Sequence, residues 1–244
     1  MTSPTLEIAV DCPEFAARLG GLVDRLELCW KLDEEGWTPP PDLMAGFRSM
    51  VGGDVPMHVL IRPGSGTSGS GTEPGDFLVD EAGLKRSVEE VELAGRLGFQ
   101  GVVVGPCTRC GQVDLEAMEV LCERARGFQL EVGFHRAFDL LEDRDEALDQ
   151  LGQLGVCQVL SSGARGWSME QIPLADRLDR LRALASRSDG RPGDPVRIVA
   201  CGGVRATNAG AFLSATGHLH SSCRLEGRPD ADEARALSQV FGRG

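Results

Sequence analysis

The stretch EEVELAGRLGFQGVVVG, residues 89–105, contains the alternation on which the fold depends. In its first part, apolar residues return every three or four positions, as on one face of an amphipathic helix. Gly98 stands where such a helix ends and the chain turns toward the next element. The β-branched run at 102–104 then predicts a buried strand. Helix, glycine and strand in this order make one α/β unit.

The same unit repeats along the chain. Seven more short β-rich runs resemble GVVVG: LEIAV (6–10), DRLELC (24–29), PMHVLI (56–61), QLEVGF (129–134), QVLSS (158–162), VRIVA (196–200) and HLHSS (218–222). Amphipathic stretches such as LEAMEVLCERAR (115–126) lie between them. Eight strands alternating with about eight helices predict an α/β fold, a single (β/α)8 TIM-type barrel over residues 1–244. A doubly wound open sheet is the alternative, but the segment after the first strand, DCPEFAARLG, lacks its glycine fingerprint.

Composition and charge limit the classes of partner and location that we expect for the protein. The formal net charge of -12 gives no positive field for nucleic acid, so we expect no nucleic-acid partner. We also expect no membrane span, because no apolar run approaches the roughly 18 residues that a span needs. The opening residues MTSPTLEIAVD lack the basic and apolar regions of a secretory signal. Together with eight cysteines, which suit a reducing compartment, this predicts a cytoplasmic location.

Charged residues and histidines recur at every second position of the predicted strands. Because residues two apart share a face of a strand, one face is apolar and suits the helix side, while the other carries charge. We therefore predict a polar barrel interior, made of Glu7, Arg25, Glu27, His58, Arg62, His135 and His220. For Glu7 and Arg25, a purely structural ion-pair network is an equal alternative to a functional role.

Proton transfer is predicted at the carboxyl ends of the strands, where barrel active sites lie. His135 ends the fifth strand and is the candidate proton-transfer group, since a neutral imidazole can act near pH 7. Asp139 or Glu27 is expected to orient or charge it.

Anion binding is predicted at the same end of the barrel. Arg62 and Arg136 are expected to hold the anionic group of a ligand. The segments after strands seven and eight, CGGVR and HSSCR, are suited to donate backbone N–H groups and hydroxyls to it. Their candidate ligand-binding residues are Gly202, Gly203, His220, Ser221 and Ser222.

The cysteines are expected to cluster at this end too. Four stand at or just beyond strand ends, and CTRC follows strand four, so six thiols are predicted to line one face: Cys12, Cys29, Cys107, Cys110, Cys201 and Cys223. Soft thiolates favour Cu(I) and zinc. The Gly/Ser-rich segment 64–75 is expected to be a mobile loop long enough to cover the site.

These motifs resemble the CutC family, whose members are associated with copper homeostasis. The resemblance rests on LEIAVD (6–11), DRLELC (24–29), GWTPP (36–40), HVLIRP (58–63), GDF (75–77), GVVVG (101–105), FHRAFD (134–139), SSG (161–163), GGVR (202–205) and HSS (220–222). It implies a TIM-type barrel, a cytoplasmic homodimer or homotetramer, and copper handling. Cys29 stands at a cysteine position typical of the family and is the candidate Cu(I) ligand. The thiols of Cys107, Cys110 and Cys201 depart from the family pattern, as does the long 64–75 segment.

Two functions follow. One is a copper-binding protein of copper homeostasis, with a metal ion as its partner. The other is an enzyme, a lyase, isomerase or hydrolase, acting on a small anionic metabolite such as a phosphorylated one. The mixed Arg, His, Asp and Glu lining favours the enzyme, because a copper carrier needs only soft ligands. A purely structural module explains neither the lining nor the loops.

Overall fold

A closed barrel of eight parallel strands forms the centre of the protein. The computed structural model describes residues 3–53, 55–62, 73–190 and 195–243. The strands pair in chain order, and the last pairs with the first. They are β1 (Thr5–Val10), β2 (Arg25–Leu28), β3 (Met57–Leu60), β4 (Gly101–Val104), β5 (Glu131–Phe134), β6 (Gln158–Ser161), β7 (Arg197–Ala200) and β8 (His218–Ser221). The predicted (β/α)8 barrel is confirmed.

Helices connect the strands on the outside of the barrel. They are α1 (Pro13–Ala16), α2 (Pro41–Val51), α3 (Glu81–Arg96), α4 (Leu115–Gly127), α5 (Arg144–Gln153), α6 (Leu174–Asp189), α7 (Ala209–Thr216) and α8 (Ala231–Val240). A small hairpin, β9 (Arg224–Leu225) and β10 (Arg228–Pro229), lies between β8 and α8. No helix in the described ranges combines the length and the apolar composition that crossing a membrane requires.

Local sequence explains where the helices begin and end. The carboxylates of Asp80, Asp114, Asp143 and Asp230 accept backbone N–H groups at the starts of α3, α4, α5 and α8. These groups would otherwise lack a partner. Gly98, after α3, has a φ of 76°, the left-handed conformation that glycine adopts without strain.

Apolar side chains form two separate layers. The outer layer lies between strands and helices and includes Leu6, Ile8 and Leu26. The inner layer lies inside the barrel and consists of Ala9, Cys29, Leu60, Val103, Leu160, Val199 and Cys201, with Leu32 packed against it. The predicted alternation of faces is therefore correct.

Most of the segment predicted to be a mobile loop, residues 64–72, lies outside the described residues. Its last three residues are described. Pro74–Phe77 form a short 3-10 helix, and Glu73 and Asp76 cap it reciprocally. Phe77 is buried and reaches the carboxyl end of the barrel.

Candidate functional site

A charged network fills the amino-terminal half of the barrel interior. Glu7 stands in register with Arg25 on one side and His220 on the other. Arg25 Nε donates to Glu7 Oε2 at 2.5 Å, and a terminal nitrogen of Arg25 donates to Gln158 Oε1. His220 Nδ1 lies 2.7 Å from Glu7 Oε1. Burial opposes the charge of Glu7, yet Arg25 and His220 together hold its pKa well below the usual range.

Glu27 lies beside this network and lines the cavity at the carboxyl ends of the strands, and its carboxylate is less completely hydrogen-bonded. Its Oε2 is buried, has no hydrogen-bond partner within the described ranges, and lies 3.5 Å from His220 Nδ1. The thiol of Cys29 donates to its other oxygen at 3.6 Å. Burial raises the pKa of Glu27 to about 7, with a further contribution from the charge of Glu7 and an opposing one from His220.

A cavity of about 300 Å³ opens at the carboxyl ends of the strands. This volume lies at the lower end of the range for small-molecule sites. Most of the sequence-predicted site residues line it. They are Glu27, Cys29, Arg62, His135, Arg136, Cys201, Gly202, Gly203, His220, Ser221 and Ser222.

Arg62 is held in place by aromatic rings and carbonyl groups. Its guanidinium carbon lies 4.5 Å from the ring centre of Trp37 and 4.9 Å from that of Phe77. One terminal nitrogen donates to the carbonyl oxygens of Glu35 and Gly36. The Nε atom is buried and has no hydrogen-bond partner in the part of the chain that the structure describes. Arg62 therefore keeps a donor for a ligand while its position is fixed.

Arg136 repeats this arrangement across the cavity. Its guanidinium carbon lies 4.3 Å from the ring centre of Trp167, and a terminal nitrogen donates to the carbonyl oxygen of Trp167 at 2.5 Å. Its Nε is also buried, at 3.7 Å from the carboxylate of Asp139, and no described residue forms a hydrogen bond with it.

His135 is a neutral hydrogen-bond donor rather than a base. Burial and the nearby positive charge of Arg62 lower its pKa to about 3. Its Nδ1 accepts the backbone N–H of Ala137 at 3.2 Å, so the ring proton is on Nε2. The ring packs against Phe77 and occupies the space beside Gly105, where a Cβ would come within 2.1 Å of it.

Asp139 does not orient His135, contrary to expectation. Its carboxylate accepts the hydroxyl and backbone N–H of Ser162 and the hydroxyl of Ser161. These bonds tie the 3-10 helix after β5, Arg136–Leu140, to the end of β6. The sequence pattern FHRAFD placed the carboxylate in the right region, but it bonds to the two serines at the end of β6 instead of to His135.

The prediction that six thiols converge is wrong. Among the described residues, only two cysteines, Cys29 and Cys201, line the cavity. The Cys107 thiol is buried in the outer layer, donates to the carbonyl of Gly105, and has a pKa raised by burial to about 12. Cys110, three residues on, is exposed. The CTRC turn therefore points its two thiols into different surroundings and does not form a metal site.

Comparison with known proteins adds the family. The model of the CutC family matches residues 5–225. The chain belongs to the CutC family. A family protein CutC of Pasteurella multocida is 37% identical over 201 residues, which cover 82% of this chain and 73% of that protein. One from Xanthomonas axonopodis pv. citri is 37% identical over 223 residues, 90% of this chain and 83% of the relative.

A solved structure agrees with the fold. The crystal structure of CutC from Streptococcus agalactiae, whose assignment to copper homeostasis is provisional, superposes with a TM-score of 0.76 at 26% identity. The match covers 90% of this chain and 98% of that one. The predicted membership of the CutC family is thus confirmed, and copper homeostasis is implied by the family.

The CutC family implies copper, for which the cavity offers the thiols of Cys29 and Cys201. Cu(I) prefers thiolates. Burial and the neighbouring charge of Glu27 raise the pKa of Cys29 well above its usual value, and burial raises that of Cys201 likewise. Within the part of the chain that the structure describes, one group of three potential ligands occurs, Glu7, Glu27 and His220, and it contains no thiol.

Sequence reasoning missed several residues that shape this CutC-family site. Gln158 begins β6 on the interior face, where the period-two pattern could have identified it. Arg177 had no such signal, because it lies in the helical run 176–187, which looks like an ordinary amphipathic helix. Its guanidinium donates to the carbonyl oxygens of Ser162, Cys201 and Gly202, and so holds the ends of β6 and β7 together.

Proposed function

We propose that this CutC-family barrel binds a small organic anion, carrying a carboxylate or phosphate group, in the cavity at the carboxyl ends of its strands. We further propose that it acts on that anion as a lyase, isomerase or hydrolase. One observation carries the binding proposal. Arg62 and Arg136 line the same cavity, each is stacked on an aromatic ring, and each keeps a buried Nε for which the described residues provide no hydrogen-bond partner.

Two fixed guanidinium groups favour an anion for a physical reason. Their planar forks suit carboxylate and phosphate oxygens, and stacking reduces the entropy lost when the anion binds. His135 adds a neutral N–H donor, and the turn after β7 adds close backbone approach. Gly202 has a φ of 72°, and a Cβ there would come within 2.5 Å of the Met169 sulfur. These features support orientation of the anion as well as its capture.

Thermal stability in the presence of anions tests this proposal. Wild type, Arg62→Met and Arg136→Met are each heated with inorganic phosphate, citrate, 2-oxoglutarate and phosphoenolpyruvate. We expect at least one anion to raise the melting temperature of wild type and to do so far less in either variant. Arg182→Met, at an exposed arginine of α6, is the matched control and should respond like wild type.

Two outcomes would contradict binding at this site. One is the absence of any response to the four anions. The other is an equal response in wild type and in both cavity variants. For the enzymatic part, each stabilising anion is incubated with the protein and followed by NMR; no turnover of any of them would leave only binding.

Copper binding is a second candidate, favoured by Cys29 and Cys201, which both line the cavity. Cu(I) is then the cargo, and Cys29 is its candidate ligand. Reduced protein is titrated with Cu(I) against a competing chelator, using wild type, Cys29→Ala and Cys122→Ala. Copper binding here requires that the stoichiometry fall in Cys29→Ala and not in Cys122→Ala, whose thiol lies on α4 in the outer layer.

Location and assembly stay predictions of the family resemblance. We expect a cytoplasmic homodimer or homotetramer. Cell fractionation with an antibody to the native protein measures the first, and light scattering coupled to gel filtration measures the second. A monomer across the whole concentration range would contradict the expected assembly.

A further inference from the structure

Three side chains from three neighbouring strands meet at the floor of the cavity. Glu7 comes from β1, Glu27 from β2 and His220 from β8. One oxygen of each carboxylate and a ring nitrogen of His220 all lie within 4.8 Å of one another. We propose that these three residues bind a borderline divalent cation, of the kind represented by Zn²⁺, and that the cation faces the cavity.

An unpaired oxygen within the cluster points to a missing partner. Glu27 is 3% exposed, and its Oε2 has no hydrogen-bond partner among the described residues. A buried carboxylate oxygen without a donor is costly, and native structures rarely leave one in place. This oxygen lies 3.5 Å from His220 Nδ1, within the cluster itself. A cation placed between the three residues would supply the partner that Oε2 lacks.

The donor spacing is close to what such a cation needs. For bonds of about 2.1 Å, neighbouring ligand atoms of a tetrahedral or octahedral site lie about 3.0–3.4 Å apart. His220 Nδ1 is 2.7 Å from Glu7 Oε1 and 3.5 Å from Glu27 Oε2. These two values lie on either side of the required spacing. The carboxylate oxygens of Glu7 and Glu27 lie within 4.8 Å of each other, so the side chains must draw together around the ion.

Arg25 supports the site rather than filling it. Its Nε is bonded to Glu7 Oε2, and a terminal nitrogen is bonded to Gln158, so the guanidinium is held on the far side of the Glu7 carboxylate. The Oε1 atom of Glu7 is left for the cluster. Hydrogen bonding to the second oxygen of a ligating carboxylate is a common way to orient it.

The chemistry of the donors selects the ion. One imidazole nitrogen and two carboxylate oxygens suit Zn²⁺, Fe²⁺ or Mn²⁺, whereas Cu(I) prefers sulfur and Mg²⁺ prefers oxygen alone. Three protein ligands leave a coordination position open, as in catalytic rather than structural zinc sites. Glu27 and His220 both line the cavity, so that position faces it. The inference does not depend on the proposed anion site.

Metal binding is tested with chelator-treated protein and calorimetric titration of Zn²⁺. We expect one site per chain in wild type, with the affinity lowered at least tenfold in Glu27→Gln and in His220→Gln. Glu35→Gln is the matched control, since Glu35 lines the same cavity but lies outside the cluster. Circular dichroism of each variant verifies that it is folded, and Glu27→Gln preserves the size of the side chain.

Cobalt substitution identifies the donor atoms independently of affinity. Bound Co²⁺ should show visible d–d absorption without a thiolate charge-transfer band, and Cys29→Ser should leave the spectrum unchanged. The proposal is overturned by a thiolate band, by an absence of Zn²⁺ binding, or by equal affinities in wild type and both cluster variants. Anion binding is measured in metal-free protein, so a failure of either proposal is seen separately from a failure of the other.

Discussion

Arg25 and Arg62 are both buried inside the barrel, but their partners differ. Arg25 is bonded to the carboxylate of Glu7 and to Gln158. Arg62 donates to two backbone carbonyls and stacks between two aromatic rings, and no carboxylate among the described residues lies within ion-pair distance of it. Both arginines have partners in the interior, but within the described part of the chain only the charge of Arg25 is neutralised by a carboxylate.

The difference indicates which charges serve structure and which serve binding. A carboxylate at hydrogen-bond distance cancels most of the field of Arg25, so this arginine has little attraction left for a mobile anion. Carbonyls and rings position Arg62 without cancelling its charge. The arginines at the two levels of the barrel interior therefore have separate tasks: at the Glu7 level Arg25 holds a carboxylate in place, and at the Arg62 level the charge of the arginine faces the cavity.

The largest loss of stability is expected when Arg25, the arginine paired with a carboxylate, is replaced. Arg25→Met leaves the buried carboxylate of Glu7 without its main partner and should lower the free energy of unfolding by about 3–5 kcal/mol. Arg62→Met leaves no buried carboxylate unpaired and should lower it by about 1 kcal/mol, for the lost bonds to two carbonyls. Urea unfolding measures both. Equal losses in the two variants would remove the distinction between the levels.

A steric prediction concerns His135, which lines the cavity. Gly105→Ala places a methyl group within 2.1 Å of the His135 ring, which must then move. Overpacking of this kind lowers the free energy of unfolding by about 1–3 kcal/mol. Gly210→Ala, on α7 with no atom near the added methyl group, is the control and should be neutral or stabilising. Thermal unfolding compares the two, and an unchanged Gly105→Ala would show that His135 has room to move.

The sequence predicted the fold and the composition of the site better than the contacts within it. Strand periodicity correctly placed Glu7, Glu27 and His58 inside the barrel, because side-chain direction along a strand is a local property. Which charged groups pair is not local. Asp139 lies four residues from His135 but bonds to the two serines at the end of β6, 22 and 23 residues away.

The same limit explains the cysteines and Arg177. Thiols at strand ends look equivalent in sequence, yet Cys29 turns into the barrel whereas Cys107 turns into the outer layer. Arg177 extends from α6 to the carbonyl groups at the ends of β6 and β7, and a helical sequence repeat does not predict such a contact. These contacts depend on how a loop closes, which periodicity does not specify.

Acid stability is predicted to depend on His135. Its pKa is about 3 in the folded protein and about 6.5 when unfolded, so between these values only the unfolded chain binds the proton. Stability therefore falls as pH decreases below 6.5, by about 1.4 kcal/mol per pH unit for this one group. His135→Asn keeps an acceptor for the Ala137 N–H but has no side chain that binds a proton in this pH range. Urea unfolding from pH 7 to pH 4.5 should give a shallower decline for the variant, and parallel curves would contradict the assignment.

The smallest effect is expected from the ring that positions Arg62. Trp37→Leu removes the aromatic face 4.5 Å from the guanidinium carbon and leaves the arginine and its charge in place. A cation–π contact contributes about 0.5–1 kcal/mol, so anion affinity should fall two- to fivefold. Trp30 offers a matched control because its backbone pairs with that of Trp37, while its ring stacks under Lys31 instead. Trp30→Leu should leave affinity unchanged. If both variants bind an anion such as phosphate as wild type does, the rings contribute only packing, and the ability of Arg62 to attract an anion would rest on its missing carboxylate partner alone.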